Sequence, residues 1–285
     1  MTGEPRVLVL PDPETVGRRA AELIAVALHE AVDARGRAHW ATTGGSAPIA
    51  IYGALAVAPL RDSIPWDRVH VWFGDDRYVP RDHPLSNIVP VDEILLAASA
   101  LAGLSGSGET GVDVEIGIEP GIPLPPENVH PFPCTTAIAE NRGSAWAAAA
   151  YADEVRSAVR ESREGWPVFD VVLIGIGPDG HLLSVFPGSP ALTSSDLAMA
   201  IPAPTHVEPH VERVTLNPAI LSAASTLLAV SHGASKAEVI GRIFGDDRDP
   251  AALPARLARR EGATWILDRA AAADLPGTVV IDRAG

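Results

Sequence analysis

Short segments rich in apolar residues, at Val7–Leu10, Ala38–Thr42, Trp66–Phe73, Val171–Ile174 and Thr226–Val230, alternate with longer stretches whose apolar residues recur every three or four positions. Runs of the first kind predict strands, Val171–Ile174 being one covered on both faces; stretches of the second kind predict amphipathic helices. The first unit shows the rule. Asp12-Pro13 supplies a cap and a proline at the first helical position, and Val16, Ala20, Leu23, Ile24, Ala27, Leu28 and Ala31 then keep a helical spacing. Further helices are predicted over Ile49–Leu60, from about Ser86 through Val89–Ala98, over Ser144–Glu161, from Pro218, from Lys236 through Phe244, and within Ala251–Arg260. Strands are predicted at Ala200–Ala203, Arg213–Leu216 and Thr278–Ile281, while Trp265–Ala273 reads as helical. The segment Gly103–Pro133, rich in glycine and proline, breaks the rhythm. It reads as an irregular excursion with short strands near Val112–Ile118 and Val129, not as a domain boundary. Repeated strand–helix units of this kind imply an α/β fold with a doubly wound, mostly parallel sheet and helices on both faces, in one domain spanning residues 1–285.

Composition narrows the functional classes. The 285 residues are 47% hydrophobic and 20% charged, enough to bury a large core, and the net charge of -14 argues against a nucleic-acid partner. The single cysteine, Cys134, excludes an internal disulfide. The early apolar run Val7–Leu10 is too short for a signal peptide and no run reaches the length of a membrane span, so a cytoplasmic protein without a membrane partner is expected, as a monomer or small homo-oligomer.

The polar chemistry gathers at predicted strand ends, the edge at which open α/β sheets place ligands. After Val171–Ile174 the chain turns through Gly175 and Gly177 and delivers Asp179 and His181, a carboxylate and the side chain most readily tuned for proton transfer near neutral pH. Gly44-Gly45-Ser46 before a helix offers backbone N–H groups and a hydroxyl suited to a phosphate. Arg77 follows Asp75 and Asp76, and its bland role is an ion pair with one of them. Lys236 follows Gly233 at a helix start, and Arg213 opens a strand.

Five ordered motifs carry a family resemblance: Thr43-Gly44-Gly45-Ser46-Ala47-Pro48; Gly74-Asp75-Asp76-Arg77 with Asp82-His83-Pro84 and Ser86-Asn87; Gly175 to His181 with Ser184-Val185-Phe186-Pro187-Gly188; Arg213-Val214-Thr215-Leu216; and Gly233-Ala234-Ser235-Lys236. Together they resemble the 6-phosphogluconolactonases. The resemblance implies a Rossmann-like fold shared with glucosamine-6-phosphate deaminases, no metal or other cofactor, and hydrolysis of 6-phosphogluconolactone, a phosphorylated sugar lactone, in the oxidative pentose phosphate pathway. It further implies His181 as general base oriented by Asp179, with Gly44, Gly45, Ser46, Asp75, Arg77, Asn87, Arg213 and Lys236 as candidate substrate-binding residues.

Four positions depart from the family pattern. Asp76 replaces a usual glutamate, Ala47 a threonine, and Leu182-Leu183 a Thr-Ala pair beside His181. Leu182 is expected to narrow or dry the pocket and Leu183 to repack. Two other readings compete: a deaminase-like isomerase and a non-catalytic sugar-phosphate sensor. Deaminases of this superfamily typically carry a glutamate five residues after the loop histidine, where this chain has Phe186. His206 and His210 are four apart, but Pro204 and Pro209 argue against a regular helix that would turn them into metal ligands.

Overall fold

The computed structural model describes residues 3–96 and 121–282, so the strand expected at Val112–Ile118 lies outside the described residues. Eight parallel strands form the main sheet: β1 (Arg6–Leu10), β2 (Ala38–Thr42), β3 (Val69–Phe73), β5 (Val129–His130), β8 (Val171–Gly175), β11 (Thr226–Ser231), β12 (Ala263–Asp268) and β13 (Ile281–Asp282). Their order is β13-β1-β12-β11-β8-β2-β3-β5, every neighbouring pair being parallel. From β2 the chain winds outward through β3 to β5, then returns to β8 on the other flank of β2 and winds out again. The carboxyl ends of β2 and β8 therefore flank the switch point of a doubly wound sheet, where a crevice opens. A small antiparallel sheet of β4 (Asp75–Arg77), β10 (Arg213–Leu216) and β9 (Ala198–Ile201) lies beyond that edge, and β6 (Ser162–Arg163) pairs with β7 (Trp166–Pro167) in a hairpin.

Helix α1 (Pro13–Arg35) begins where the sequence predicts: the Asp12 carboxylate accepts from Thr15 N at 2.8 Å, and Gly36, at φ 76°, closes the far end. Helices α2 (Ala47–Leu55), α3 (Ser144–Ala158) and α4 (Ala237–Phe244) pack their apolar faces on the same core. Two buried tyrosines from these helices brace the strand ends that matter. Tyr52 pairs with Thr42 Oγ1 at 2.6 Å, and Tyr151 both accepts from Phe73 N at 2.8 Å and donates to Phe73 O at 3.0 Å. Because neither phenol is exposed, the exits of β2 and β3 are held by hydrogen bonds that water cannot replace.

Several expectations are corrected. Trp265–Ala273 is not helical: Ala263–Asp268 is strand β12, buried between β1 and β11, and the alanines that follow extend the apolar pattern without continuing the element. Within Ala251–Arg260 only a 3₁₀ segment, Pro254–Ala258, forms, since Pro250 and Pro254 interrupt an α-helical ladder. The helix expected from Ser86 narrows to a turn ending in a π-type segment at Val91–Leu95, which leaves Ser86 and Asn87 in the loop before it. Among the described residues no helix is long and apolar enough to cross a membrane.

Candidate active site at the carboxyl edge of the sheet

Strand β8 ends at Gly175, and the turn that follows folds His181 back over Gly177, whose N–H donates to His181 O at 2.8 Å. The approach is close enough that a Cβ on Gly177 would lie 2.0 Å from His181 Nδ1, so glycine is required there. His181 Nδ1 lies 2.5 Å from Asp179 Oδ1. On the other carboxylate oxygen, His206 Nε2 approaches Asp179 Oδ2 at 2.9 Å. Burial alone raises the Asp179 carboxyl, but the hydrogen bonds from His181 and His206 and the charge of His181 outweigh it and hold the group well below the usual carboxylate range. An ionised carboxylate only accepts, so both imidazoles donate to it, and neutral His181 keeps its lone pair on Nε2.

The opposite wall is built by the small sheet. Buried Asp76 accepts from Arg77 N and Asn87 N, each at 2.7 Å, and from Ser86 Oγ at 3.0 Å, folding the 86–87 loop against β4. Burial pushes the Asp76 carboxyl up to about 6 against the lowering effect of those bonds. Asn87 then donates to Asp75 O at 2.8 Å and accepts from Arg77 Nη1 at 2.8 Å, while Arg77 Nη1 also donates to Leu85 O. Gly44 permits this arrangement, because a Cβ there would fall 1.8 Å from Asn87 Oδ1. Asp75 accepts from Ser184 Oγ at 2.6 Å, which links β4 to the His181 loop.

In the β4–β10 register Arg77 stands directly opposite Arg213. Like charges so placed repel, yet among the described residues Arg77 makes no ion pair with Asp75 or Asp76, and Arg213 donates only to Pro209 O at 3.1 Å. Both Nε atoms are buried without a partner. Burial, and after it the charge of Arg77, lowers the Arg213 guanidinium from its ordinary value. Asp75, Asp179 and Asp76 offset part of that effect through space, but neither guanidinium has a direct ion-pair partner among the described residues; a phosphate can take paired contacts from each. Lys236, likewise lowered by burial and partly restored by Asp179, donates from Nζ to Ile176 O at 2.7 Å. Asp268 at the end of β12 accepts from Gly233 N and so fixes the loop that carries Lys236.

Gly44, Gly45, Asp75, Arg77, Asn87, His181, Arg213 and Lys236 line one cleft of about 420 Å³, with Asp179 behind His181. Ser46 is the exception: it is exposed at the start of α2 and does not line the cleft. The two leucines exchange their expected parts. Leu182 is fully buried and bridges Val185, whereas Leu183, at φ 52°, is turned into the cleft against Gly74. A left-handed residue in the tight 182–185 turn swings its side chain outward, which residue volume alone does not reveal. Phe186 packs 4.7 Å from the His181 ring, and the Arg213 guanidinium lies 5.5 Å over its face. His206, on Asp179, and Ser184, on Asp75, are site contacts to which sequence reasoning assigns no such part. In the sequence the 206/210 spacing suggests only a metal pair, and among the described residues no group of three or more His, Cys, Asp or Glu side chains is arranged to hold a metal ion.

A family model described as glucosamine-6-phosphate isomerases/6-phosphogluconolactonase matches residues 11–266. The chain belongs to this family. It is 30% identical over 272 residues to a 6-phosphogluconolactonase of Synechocystis, covering 95% of this chain and 98% of that one. It is 33% identical to a 6-phosphogluconolactonase of Mycobacterium tuberculosis, covering 94% and 97%. Among solved structures, the 6-phosphogluconolactonase from Trypanosoma brucei superposes with a TM-score of 0.76 at 25% identity, over 97% of this chain and all of that one. A monomeric glucosamine-6-phosphate deaminase, at 16% identity and a TM-score of 0.71, shares the fold.

Proposed function

We propose that the chain is a 6-phosphogluconolactonase that hydrolyses 6-phospho-D-glucono-1,5-lactone to 6-phospho-D-gluconate, the second step of the oxidative pentose phosphate pathway, and that it works in the cytoplasm on this small anionic substrate without a nucleic-acid or membrane partner. The observation that carries the mechanism is a facing Arg77–Arg213 pair, each Nε without a partner, sharing one cleft with a His181–Asp179 dyad. The phosphate sits against Gly44 and Gly45 with Arg77, Arg213 and Lys236 as its cations, and Asn87 and Asp75 meet ring hydroxyls. So anchored, the lactone carbonyl is directed at His181. Neutral His181 takes a proton at Nε2 as water adds to the carbonyl carbon, and Asp179 stabilises the imidazolium. The tetrahedral intermediate collapses, the bond to the ring oxygen breaks, and that oxygen takes the proton back from His181. The new carboxylic acid then ionises, releasing one proton per turnover.

Proton release from freshly generated lactone, corrected for spontaneous hydrolysis, tests this. The expected result is an enzymatic excess that His181→Ala removes while the affinity for 6-phosphogluconate stays within about threefold, since the phosphate cradle supplies most of the binding. No excess rate with wild-type protein leaves only a sugar-phosphate binder. Release of ammonia from glucosamine 6-phosphate points instead to a deaminase.

A further inference from the structure

Between β9 and β10 the chain makes a short excursion, residues 204–210, that sets His206 at the mouth of the cleft. The excursion is tied at its base: His210 Nδ1 donates to Pro204 O at 2.7 Å, and Arg213 Nη2 donates to Pro209 O. His206 stands edge-on to Phe186, with ring centroids 5.7 Å apart, and Phe186 in turn packs against His181. The two Asp179 oxygens are thus divided, Oδ1 toward His181 and Oδ2 toward His206. The His181 ring and its backbone N–H, at 3.2 Å, both meet Oδ1, and donors on one oxygen alone leave the carboxylate able to rock about its last torsion; a donor on Oδ2 removes that freedom. His206 also covers the carboxylate, whose side chain is 16% exposed while the His206 side chain is 51% exposed.

We propose that His206 is a positioning residue: by donating from Nε2 to Asp179 Oδ2 it holds the carboxylate in the orientation that keeps His181 Nδ1 protonated and Nε2 aimed at the attacking water. This rests on the reading of His181 as general base. The role belongs to the donor, not to the ring, because the contact with Phe186 is apolar and any aromatic residue can supply it.

Two replacements separate those contributions. His206→Phe keeps the ring on Phe186 and removes the donor; His206→Gln replaces the donor with an amide N–H of similar reach. Expected for H206F is a kcat about tenfold lower, the lower end of what a hydrogen bond to a charged group contributes, with KM changed by less than about twofold. H206Q restores kcat to within about threefold of wild type. In an Asp179→Asn background H206F adds no further loss, because the two residues act as one unit. The downfield proton resonance of His181 Nδ1 moves in H206F and returns in H206Q. Thermal unfolding of each variant confirms that the fold is retained, as substitution at a half-exposed side chain should allow. Wild-type kcat in H206F, equal losses in H206F and H206Q, or multiplicative losses with D179N would overturn the proposal. His181→Ala distinguishes the two levels: if it keeps wild-type kcat, the base assignment fails and His206 has nothing to position; if it collapses while H206F is unaffected, only the positioning role fails.

Discussion

Replacing Gly177 with alanine adds one methyl group at the point where the active-site loop has least room. The new Cβ would lie 2.0 Å from His181 Nδ1, 2.1 Å from Cε1 and 2.6 Å from Cγ. Ordinary contact between such atoms is about 3.5 Å, so the imidazole must move by roughly 1.5 Å, which breaks its 2.5 Å bond to Asp179. Gly177 is not among the positive-φ glycines, so alanine meets no backbone penalty and the damage falls on the ring. General acid–base catalysis contributes about 10²–10⁴ in rate, and kcat should therefore fall at least about 100-fold. KM should change by less than about threefold, because the phosphate cradle is built on other loops. Loss of one charge-assisted bond costs about 1.5–3 kcal/mol, a fall in Tm of roughly 3–12 °C for a chain of this size. Initial rates of proton release from fresh lactone, with the double variant Gly177→Ala/His181→Ala alongside, decide the matter. A single variant within threefold of wild type, or a double variant much slower than His181→Ala alone, would refute the reasoning.

Inorganic phosphate should stabilise the wild-type protein by about 2.7 kcal/mol at a hundredfold excess over its Kd; Arg213→Met should abolish that shift in a thermal melt, and an undiminished shift would remove the guanidinium pair from the anion site. His39 is a buried base. Desolvation, and next the charge of His70, lower it from 6.5 to about 3, so the stability tied to its neutral form is complete above pH 6.5 and is lost as pH falls from 6.5 towards 3, by roughly 4–5 kcal/mol at the lower end. Because Trp72 Nε1 donates to His39 Nδ1 at 3.1 Å, His39→Asn keeps an acceptor in place and should flatten the pH dependence of urea unfolding in that window. Burial pushes the Cys134 thiol up to about 12, so native protein at pH 8 should resist iodoacetamide and react only once unfolded; stoichiometric labelling of folded protein would contradict this.

Much of this architecture is legible in the sequence, and the failures have physical causes. Fully buried parallel strands announce themselves as apolar runs, and Asp12-Pro13 marks a helix start because cap and ring act locally. Trp265–Ala273 misleads because a buried strand and a buried helix are both uniformly apolar over six residues, and only its neighbours β1 and β11 settle which it is. The motifs place most of the cleft, since residues at strand ends converge whenever the sheet is parallel. Three features escape such a reading. The register that sets Arg213 against Arg77 and the arrival of His206 at Asp179 depend on segments distant in the chain, and the left-handed turn that sends Leu183 rather than Leu182 into the cleft is a backbone conformation that residue volume does not encode. Ser46 errs the other way: it belongs to the glycine-rich motif yet lies outside the cleft once α2 has formed.

A crystal structure with 6-phosphogluconate bound is the most direct measurement of the central claim. The phosphate is predicted to lie against Gly44 and Gly45 and between the Arg77 and Arg213 guanidinium groups, with the C1 carboxylate within hydrogen-bonding distance of His181 Nε2. A product bound in the reverse sense, with its phosphate at His181 and its carboxylate at the arginines, or bound outside the cleft, would contradict it.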